Sequence, residues 1–277
     1  MIRYSVIVPS RGEPELLARA LASVPQRPDI EVINVEDTEG RGGGWARNQG
    51  LDAASGQWLV FLDADDFFLP GAFEALDRHA DGPEDMVFFD ITSVYSDTLQ
   101  PSPRHQARSG MLARYAKRPP LVEFYGRYLY NEPWGKMIRR SLVQREGIRF
   151  DETSCANDFS FSVHCGHAAG KVAYDAAPIY CVTERQGSVS HSYFDNPQKV
   201  RDRLAVYWKV QRFFDRERIP VDPFYGLWMM CRKEGGEAAR LAREFCREEG
   251  ISRARLWWGC AVRVIRKRLR LVVPYCP

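Results

Sequence analysis

Three carboxylates close an apolar run near the middle of the first half of the chain. Trp58-Leu-Val-Phe-Leu62 leads directly into Asp63-Ala64-Asp65-Asp66, and Phe67-Phe68-Leu69-Pro70 follows. A run without a polar position reads as a central strand buried on both faces. Ligands of open α/β sheets gather at the carboxyl ends of such strands. Two carboxylates one residue apart at that place suit a hard divalent cation that completes its shell with phosphate oxygens. The chemistry indicated is the handling of a nucleotide diphosphate. A solvated turn or a helix cap would use the same residue types. A second acidic pair, Glu36-Asp37, ends the neighbouring strand, however, so the two acidic tips are expected to converge on one crevice.

The elements that must position these groups alternate. Residues 4–9 read as a strand, and residues 13–24 as a helix with Pro14 in its first turn and Leu16, Leu17, Ala20, Leu21 and Val24 on one face. Residues 30–35 form a second strand. Arg41-Gly-Gly-Gly44 opens a helix that ends near Gly56, residues 57–62 form the third strand, 71–79 a helix and 85–94 a fourth strand. The pattern predicts an α/β fold, Rossmann-like, with a mostly parallel sheet flanked by helices. The glycine run lacks both GK[ST] and GxGxxG, so it is neither kind of phosphate loop; a tight turn needing positive φ is the simpler role. Beyond residue 95 the pattern changes. Residues 96–108 read as a loop or flap, 111–130 and 159–169 as helices and 171–182 as a last strand, and from Pro197 onward the chain is helical.

Composition excludes several classes. With 277 residues, 45% hydrophobic and 27% charged, the chain buries a large core. A formal charge of +3 is too small to argue for a nucleic-acid partner, and none is expected. Cys155, Cys165, Cys181, Cys231, Cys246, Cys260 and Cys276 are scattered without a CxxC pair, which favours reduced thiols in the cytoplasm over a disulfide framework or a zinc site. A strand begins almost at Met1, leaving no room for a signal peptide, and no apolar run has the length of a transmembrane helix.

Several short motifs carry a family resemblance. Ser5-Val-Ile-Val-Pro9, Val35-Glu-Asp37, Ala46-Arg-Asn-Gln-Gly50, Ala54-Ser-Gly56 and Phe61-Leu-Asp-Ala-Asp-Asp66 resemble the inverting glycosyltransferases of family 2, which have the GT-A fold. Trp134-Gly-Lys136, Arg140-Ser-Leu142, Gly147-Ile-Arg-Phe150, Asn157-Asp158 and Gly187-Ser-Val-Ser190 resemble the family's second half in the same order, so the likeness covers about residues 3–192. It implies transfer of a sugar from a nucleotide diphosphate sugar, usually UDP-linked, to an acceptor hydroxyl with inversion. The bacterial surface-glycan members are the nearest in kind, with a glycan or lipid-linked acceptor. On this reading residues 1–95 bind the nucleotide sugar, 96–195 bind the acceptor, and 196–277 form a helical extension.

Residue roles follow from the resemblance. Asp63-Ala64-Asp65 matches the DxD motif, whose last carboxylate binds Mg²⁺ or Mn²⁺ and whose first leans toward the donor ribose and the metal. Pro9, Ser10, Arg11, Glu36 and Asp37 match the loops around the donor base and ribose, and Arg47 and Asn48 the contacts near the nucleotide. Asp158 matches the catalytic base. His191 lies where some GT-A enzymes bring a late histidine to the metal, although a polar-loop histidine is commonly solvent-exposed. Tyr130 and Trp134 are candidates for stacking on an acceptor sugar, or core residues. Three departures stand out: Asn157 replaces a frequent glutamate, Glu36-Asp-Thr-Glu39 replaces Asp-Asp-Gly-Ser, and the segment leading to Ala46 is short.

From Ile251 to the end there is no acid, while Arg253, Arg255, Arg263, Arg266, Lys267, Arg268 and Arg270 are basic. Trp258, Val262, Ile265, Leu269 and Val272 recur at spacings of four and three, with Arg263, Arg266, Lys267 and Arg270 on the other side. Such a segment suits an anionic membrane interface, which would make the protein peripheral on the inner face of the cell membrane. A terminal helix packed on the body with a solvated basic face is the alternative. Two other functions use similar parts. A nucleotidyltransferase acting on sugar phosphates would carry a Gly-rich, Arg-ended loop after the first strand, where Pro9-Ser-Arg-Gly-Glu13 has one glycine. A non-catalytic glycan-binding relic would not need Asp63, Asp65 and Asp158.

Overall fold

The structure is a computed structural model and describes residues 1–185, 194 and 196–268; in the last helix, side chains are described to Gly259 and at Ala261. The chain divides into two compact units, Met1–Glu152 with Phe161–Arg185, and Thr153–Ser160 with Gln186–Pro277.

In the first unit, burial on both faces explains the apolar runs. Strand β1 (Tyr4–Ser10) and strand β3 (Trp58–Phe61) pair in parallel. Tyr4, Val6, Val8, Trp58, Val60 and Leu62 point into one core, and Ile7, Leu59 and Phe61 into the core on the opposite face. Helix α1 (Pro14–Ala22) connects β1 to β2 (Ile30–Glu36), and α2 (Gly43–Ala53) connects β2 to β3. Then come β4 (Phe67–Phe68), α3 (Ala72–Ala80), β5 (Met86–Tyr95), α4 (Gln106–Ala116), α5 (Pro119–Tyr128), β6 (Lys136–Arg139), α6 (Arg140–Arg145), α7 (Phe159–Ala168) and β7 (Val172–Glu184). Among the described residues they build a seven-stranded sheet of order β2-β1-β3-β6-β5-β7-β4.

The α/β class stands, but the sheet is mixed rather than mostly parallel. The β1–β2, β1–β3 and β5–β7 pairs are parallel, whereas β3–β6, β5–β6 and β4–β7 are antiparallel. One crossover helix returns a chain to the edge it left and makes its strands parallel. Two helices, α4 and α5, lie between β5 and β6, so β6 enters from the other edge. Strand β1 also lies between β2 and β3, so the tips bearing Glu36-Asp37 and Asp63-Asp65 are not adjacent. The end of β1, carrying Ser10 and Arg11, separates them. The expected loop over 96–108 is shorter than read and partly pinned: Ser102 is buried, Ser93 Oγ donates to its carbonyl at 2.9 Å, and α4 starts at Gln106.

The second unit is helical, as its pattern indicates. Helices α8 (Pro197–Arg216), α9 (Pro223–Glu234) and α10 (Gly236–Glu248) surround a core that includes Leu204, Phe224, Leu227, Leu241 and Phe245. Asn196 and Asp222 cap the starts of α8 and α9, each followed by a proline whose missing N–H costs nothing there. The first turns of α11 (Arg253–Arg268) are fastened to this core: Arg255 reaches Asp222 at 2.6 Å and Asp215 at 3.1 Å. Gly259 permits the approach, since a Cβ there would lie 2.6 Å from the Cβ of Tyr225. Trp257 and Trp258 stay 74% and 61% exposed. The side chains of Arg263, Arg266 and Lys267, and the whole of Arg270, lie outside the described residues. Among the described residues no helix is long and apolar enough to cross a membrane.

Candidate functional site

At the carboxyl edge of β1, β2 and β3 the chain gathers Ser10, Arg11, Asp37, Arg47, Asp63 and Asp65. Each is placed by a local device. The Asp63–Asp66 turn closes through the Asp66 N–H to Asp63 carbonyl bond at 3.0 Å. Asp66 does not face the crevice. It is buried, and its carboxylate accepts from the Thr183 N–H at 2.7 Å and the Tyr180 hydroxyl at 2.8 Å. That hydroxyl in turn accepts from the Asp63 N–H at 3.0 Å. Burial, and then the nearby Asp65 and Asp63, push the Asp66 carboxyl well above the usual range. The third acid of the run is thus a bracket between the turn and β7.

The backbone carbonyl of Asp65 accepts from Arg19 at 2.6 Å and from the Thr183 hydroxyl at 2.8 Å. Its carboxylate is thereby held in place with 32% of the side chain exposed. Burial and the charge of Asp63 raise its pKa, against the pull of Arg185, whose Nε stands 4.0 Å away while the same guanidinium pairs with Glu13. Asp63 is engaged by Arg47 at 2.6 Å, and Arg47 lies over the Phe150 ring. Tyr180→Phe removes the hydroxyl that serves two partners and leaves a buried carboxylate one donor short. The expected cost is about 1–3 kcal/mol, read as a lower midpoint in urea unfolding; an unchanged midpoint would show that the bracket is dispensable.

The β2 tip is divided between two tasks. Glu36 is exposed, whereas Asp37 is buried and accepts from the Arg41 and Gly42 N–H groups at 2.8 and 2.7 Å. Burial opposes its charge, but the N–H groups of Gly42, Arg41 and Gly40, with Arg11, hold its carboxyl below the ordinary range. The glycine run is therefore a turn folded around Asp37. Gly42 sits at φ +96° and Gly40 at +76°, and a Cβ on Gly40 would come 3.1 Å from the Arg11 guanidinium. Arg41 lies over the Trp45 ring at 4.5 Å, a flat cationic surface beside the turn that sequence reading did not single out. Ser10 donates to Asn34 at 2.9 Å, and Pro9 and Ala64 are half-buried.

Other expected site residues fall elsewhere. Asn48 is buried, and its amide bonds Phe150 in both directions, at 2.9 and 3.1 Å, and Glu152 at 3.1 Å. That arrangement ties α2 to the 150 segment. Tyr130 and Trp134 belong to the core, Trp134 stacking on Tyr180 with centroids 5.2 Å apart. Asp158 is half-buried in the turn that precedes α7, within the second unit's 153–160 segment. His191 lies outside the described residues.

The donor set fits a divalent cation only in company. Among the described residues no group of three or more His, Cys, Asp or Glu could hold a metal. Asp63 and Asp65 offer the one or two carboxylates that Mg²⁺ takes when phosphates supply further oxygens. Burial first, and then the charge of Asp63, raise the Asp65 pKa, and a bound cation would offset both.

Comparison with known proteins bears on the sequence family and the fold. The sequence model of Glycosyl transferase family 2 matches residues 35–147. EpsH of Bacillus subtilis (strain 168) is 27% identical over 198 residues, covering 67% of this chain and 56% of its own. The succinoglycan biosynthesis protein ExoO of Rhizobium meliloti (strain 1021) is 25% identical over 195 residues, covering 68% and 55%. The chain thus spans about half the length of these two relatives. Among solved structures, residues 1–349 of S. aureus TarS in complex with UDP-GlcNAc superpose with a TM-score of 0.56 at 18% identity, covering 82% of this chain and 80% of the other. A mannosyltransferase from Pyrobaculum calidifontis in complex with GDP-Man and Mn²⁺ gives a TM-score of 0.52 at 14% identity, covering 95% and 86%. Over residues 35–147 the chain is thus similar in sequence to glycosyl transferase family 2, and it shares the GT-A fold of these solved structures.

Proposed function

We propose that the protein is an inverting, metal-dependent glycosyltransferase that moves a sugar from a nucleotide diphosphate sugar, UDP-linked by preference, to an acceptor hydroxyl in bacterial exopolysaccharide or lipopolysaccharide synthesis. The observation that carries it is the Asp63-Ala64-Asp65 turn at the edge of β3, with Asp65 anchored through its backbone so that its carboxylate remains available. The succinoglycan relative supports the glycan class, and the UDP-GlcNAc and Mn²⁺ of the structural neighbours support the donor and cofactor types.

Asp65, with Asp63 beside it, would hold Mg²⁺ or Mn²⁺, which when bound neutralises charge building on the leaving diphosphate. Arg47, paired with Asp63, orients that carboxylate toward the ribose. Ser10, Arg11 and Asp37 frame the nucleoside, Arg11 supplying positive charge next to the glycine turn. Asp158 takes the acceptor hydroxyl's proton as the anomeric carbon gains oxocarbenium character, and one base suffices for direct displacement with inversion. The basic segment of α11 makes the protein peripheral on an anionic inner membrane face, next to a lipid-linked acceptor.

A panel of nucleotide sugars with Mn²⁺ and Mg²⁺ tests this. The expected products are free nucleoside diphosphate and a glycoside of inverted anomeric configuration, read by NMR. Release of pyrophosphate would instead establish a nucleotidyltransferase, and binding without turnover a non-catalytic glycan-binding protein.

A further inference from the structure

Within the second unit, α9 and α11 enclose a cavity of about 440 Å³. That volume falls in the ~300–1,000 Å³ range of small-molecule sites. Its walls are apolar and aromatic: Trp228, Met229, Leu256 and Trp257, with Tyr225 stacked on Trp228 at 5.9 Å. Two cations complete the lining, Arg232 and Arg253, both exposed, and no carboxylate takes part. Neither arginine has an acidic partner among the described residues; Arg232 lies over the Trp228 ring at 4.9 Å.

This chemistry selects among ligands. A neutral sugar is held through acceptors as well as donors at its hydroxyls, and the lining supplies no amide or carboxylate and leaves its two positive charges uncompensated. A purely apolar ligand would leave two unpaired guanidinium groups at the walls without a counter-charge. An amphiphile with an apolar chain and a phosphate head satisfies both halves. The neighbouring Trp257 and Trp258 are 74% and 61% exposed, the disposition of indoles that enter the headgroup layer. Arg255 and Gly259 fix this part of α11 on α9, so the cavity is built into the unit rather than formed by a loose tail.

We propose that the α9–α11 cavity receives an acyl chain of an anionic phospholipid at a bilayer surface, with Arg232 and Arg253 gripping its phosphate. This deepens the peripheral-membrane reading above and is independent of the transfer chemistry. It adds four residues of α9 (Tyr225, Trp228, Met229 and Arg232) to a contact that the sequence placed on the C-terminal helix alone.

The test uses the full chain and vesicles of phosphatidylglycerol or phosphatidylcholine, some carrying acyl-chain bromines that quench indole fluorescence. The expected result is cosedimentation with phosphatidylglycerol, with bromine quenching that falls when Trp257 is replaced by Phe. Arg232→Gln with Arg253→Gln should weaken binding about 30-fold, two surface cations each contributing ~1 kcal/mol. Both arginines are exposed, so the fold should persist, and Trp257→Ala provides a second surface variant with the same expected direction. Cosedimentation that neither variant weakens, with Trp257 unquenched, overturns the cavity proposal and leaves membrane binding to the distal tail. Absence of cosedimentation at low salt overturns both. A dimer that buries Trp257 without lipid, seen by light scattering, makes the occupant a second copy and overturns the lipid assignment.

Discussion

Replacing Asp65 by alanine should abolish metal-dependent binding of the nucleotide donor, weakening it by at least about 100-fold, beyond the 10–100-fold usual for outer-shell partners of a metal. The fold should be unharmed. The contacts that fix residue 65 run through its backbone carbonyl, to Arg19 and Thr183, and alanine keeps them. The carboxylate itself has Arg185 at 4.0 Å and a desolvation cost that raises its pKa. Without metal, the variant should therefore unfold at a temperature no lower than the parent. Titration calorimetry of UDP with and without Mn²⁺ measures the binding, and circular dichroism the stability. Mn²⁺-dependent UDP binding that survives in the variant would remove Asp65 from the metal site. The contrast with Asp66 is instructive: two residue types identical in sequence have opposite orientations, and the bracket to β7 makes Asp66 a matter of stability rather than of binding.

That contrast shows where sequence reading stops. The buried strand β3 was legible because every position of Trp58–Phe61 is apolar and the run is too short for a buried helix, which suits a strand covered on both faces. The acidic turn after it was legible for the same reason, since it marks the strand's end. Which acid turns inward was not, because the partners that decide it, Tyr180 and Thr183, lie more than a hundred positions later. Asn48 illustrates the same limit: its motif suggests a nucleotide contact, yet its amide is occupied by the backbone of Phe150, 102 positions away. The sheet's mixed direction was missed because parallel alternation holds for β1, β2 and β3 and then fails when two helices precede β6. Glycine requirements were read in kind but not in purpose. The run near Gly42 does need positive φ, and what it wraps is the Asp37 carboxylate. In the tail, the basic and apolar pattern was plain, whereas the fastening of α11 by Arg255 depends on Asp215 and Asp222 of other segments.

Asp158→Asn carries the second large effect. The side chain stands half-buried in the turn before α7, after Ala156 at φ +55°, a backbone that non-glycine residues adopt at some cost. A nearly isosteric amide preserves that turn and retains one acceptor oxygen, but cannot take a proton at working pH. Donor affinity should therefore stay within about twofold of the parent, because the amide removes no nucleotide contact, while transfer falls by roughly 10²-fold or more. The loss should appear in kcat rather than in the donor KM, as for an interaction made only in the transition state. Asn157 beside it makes Asp158 the one carboxylate of the pair, so Asn157→Glu should not restore the double variant if Asp158 is the base. Transfer at the parental rate by Asp158→Asn, or rescue of it by Asn157→Glu, would move the base to another residue and break the correspondence of this segment with the family motif.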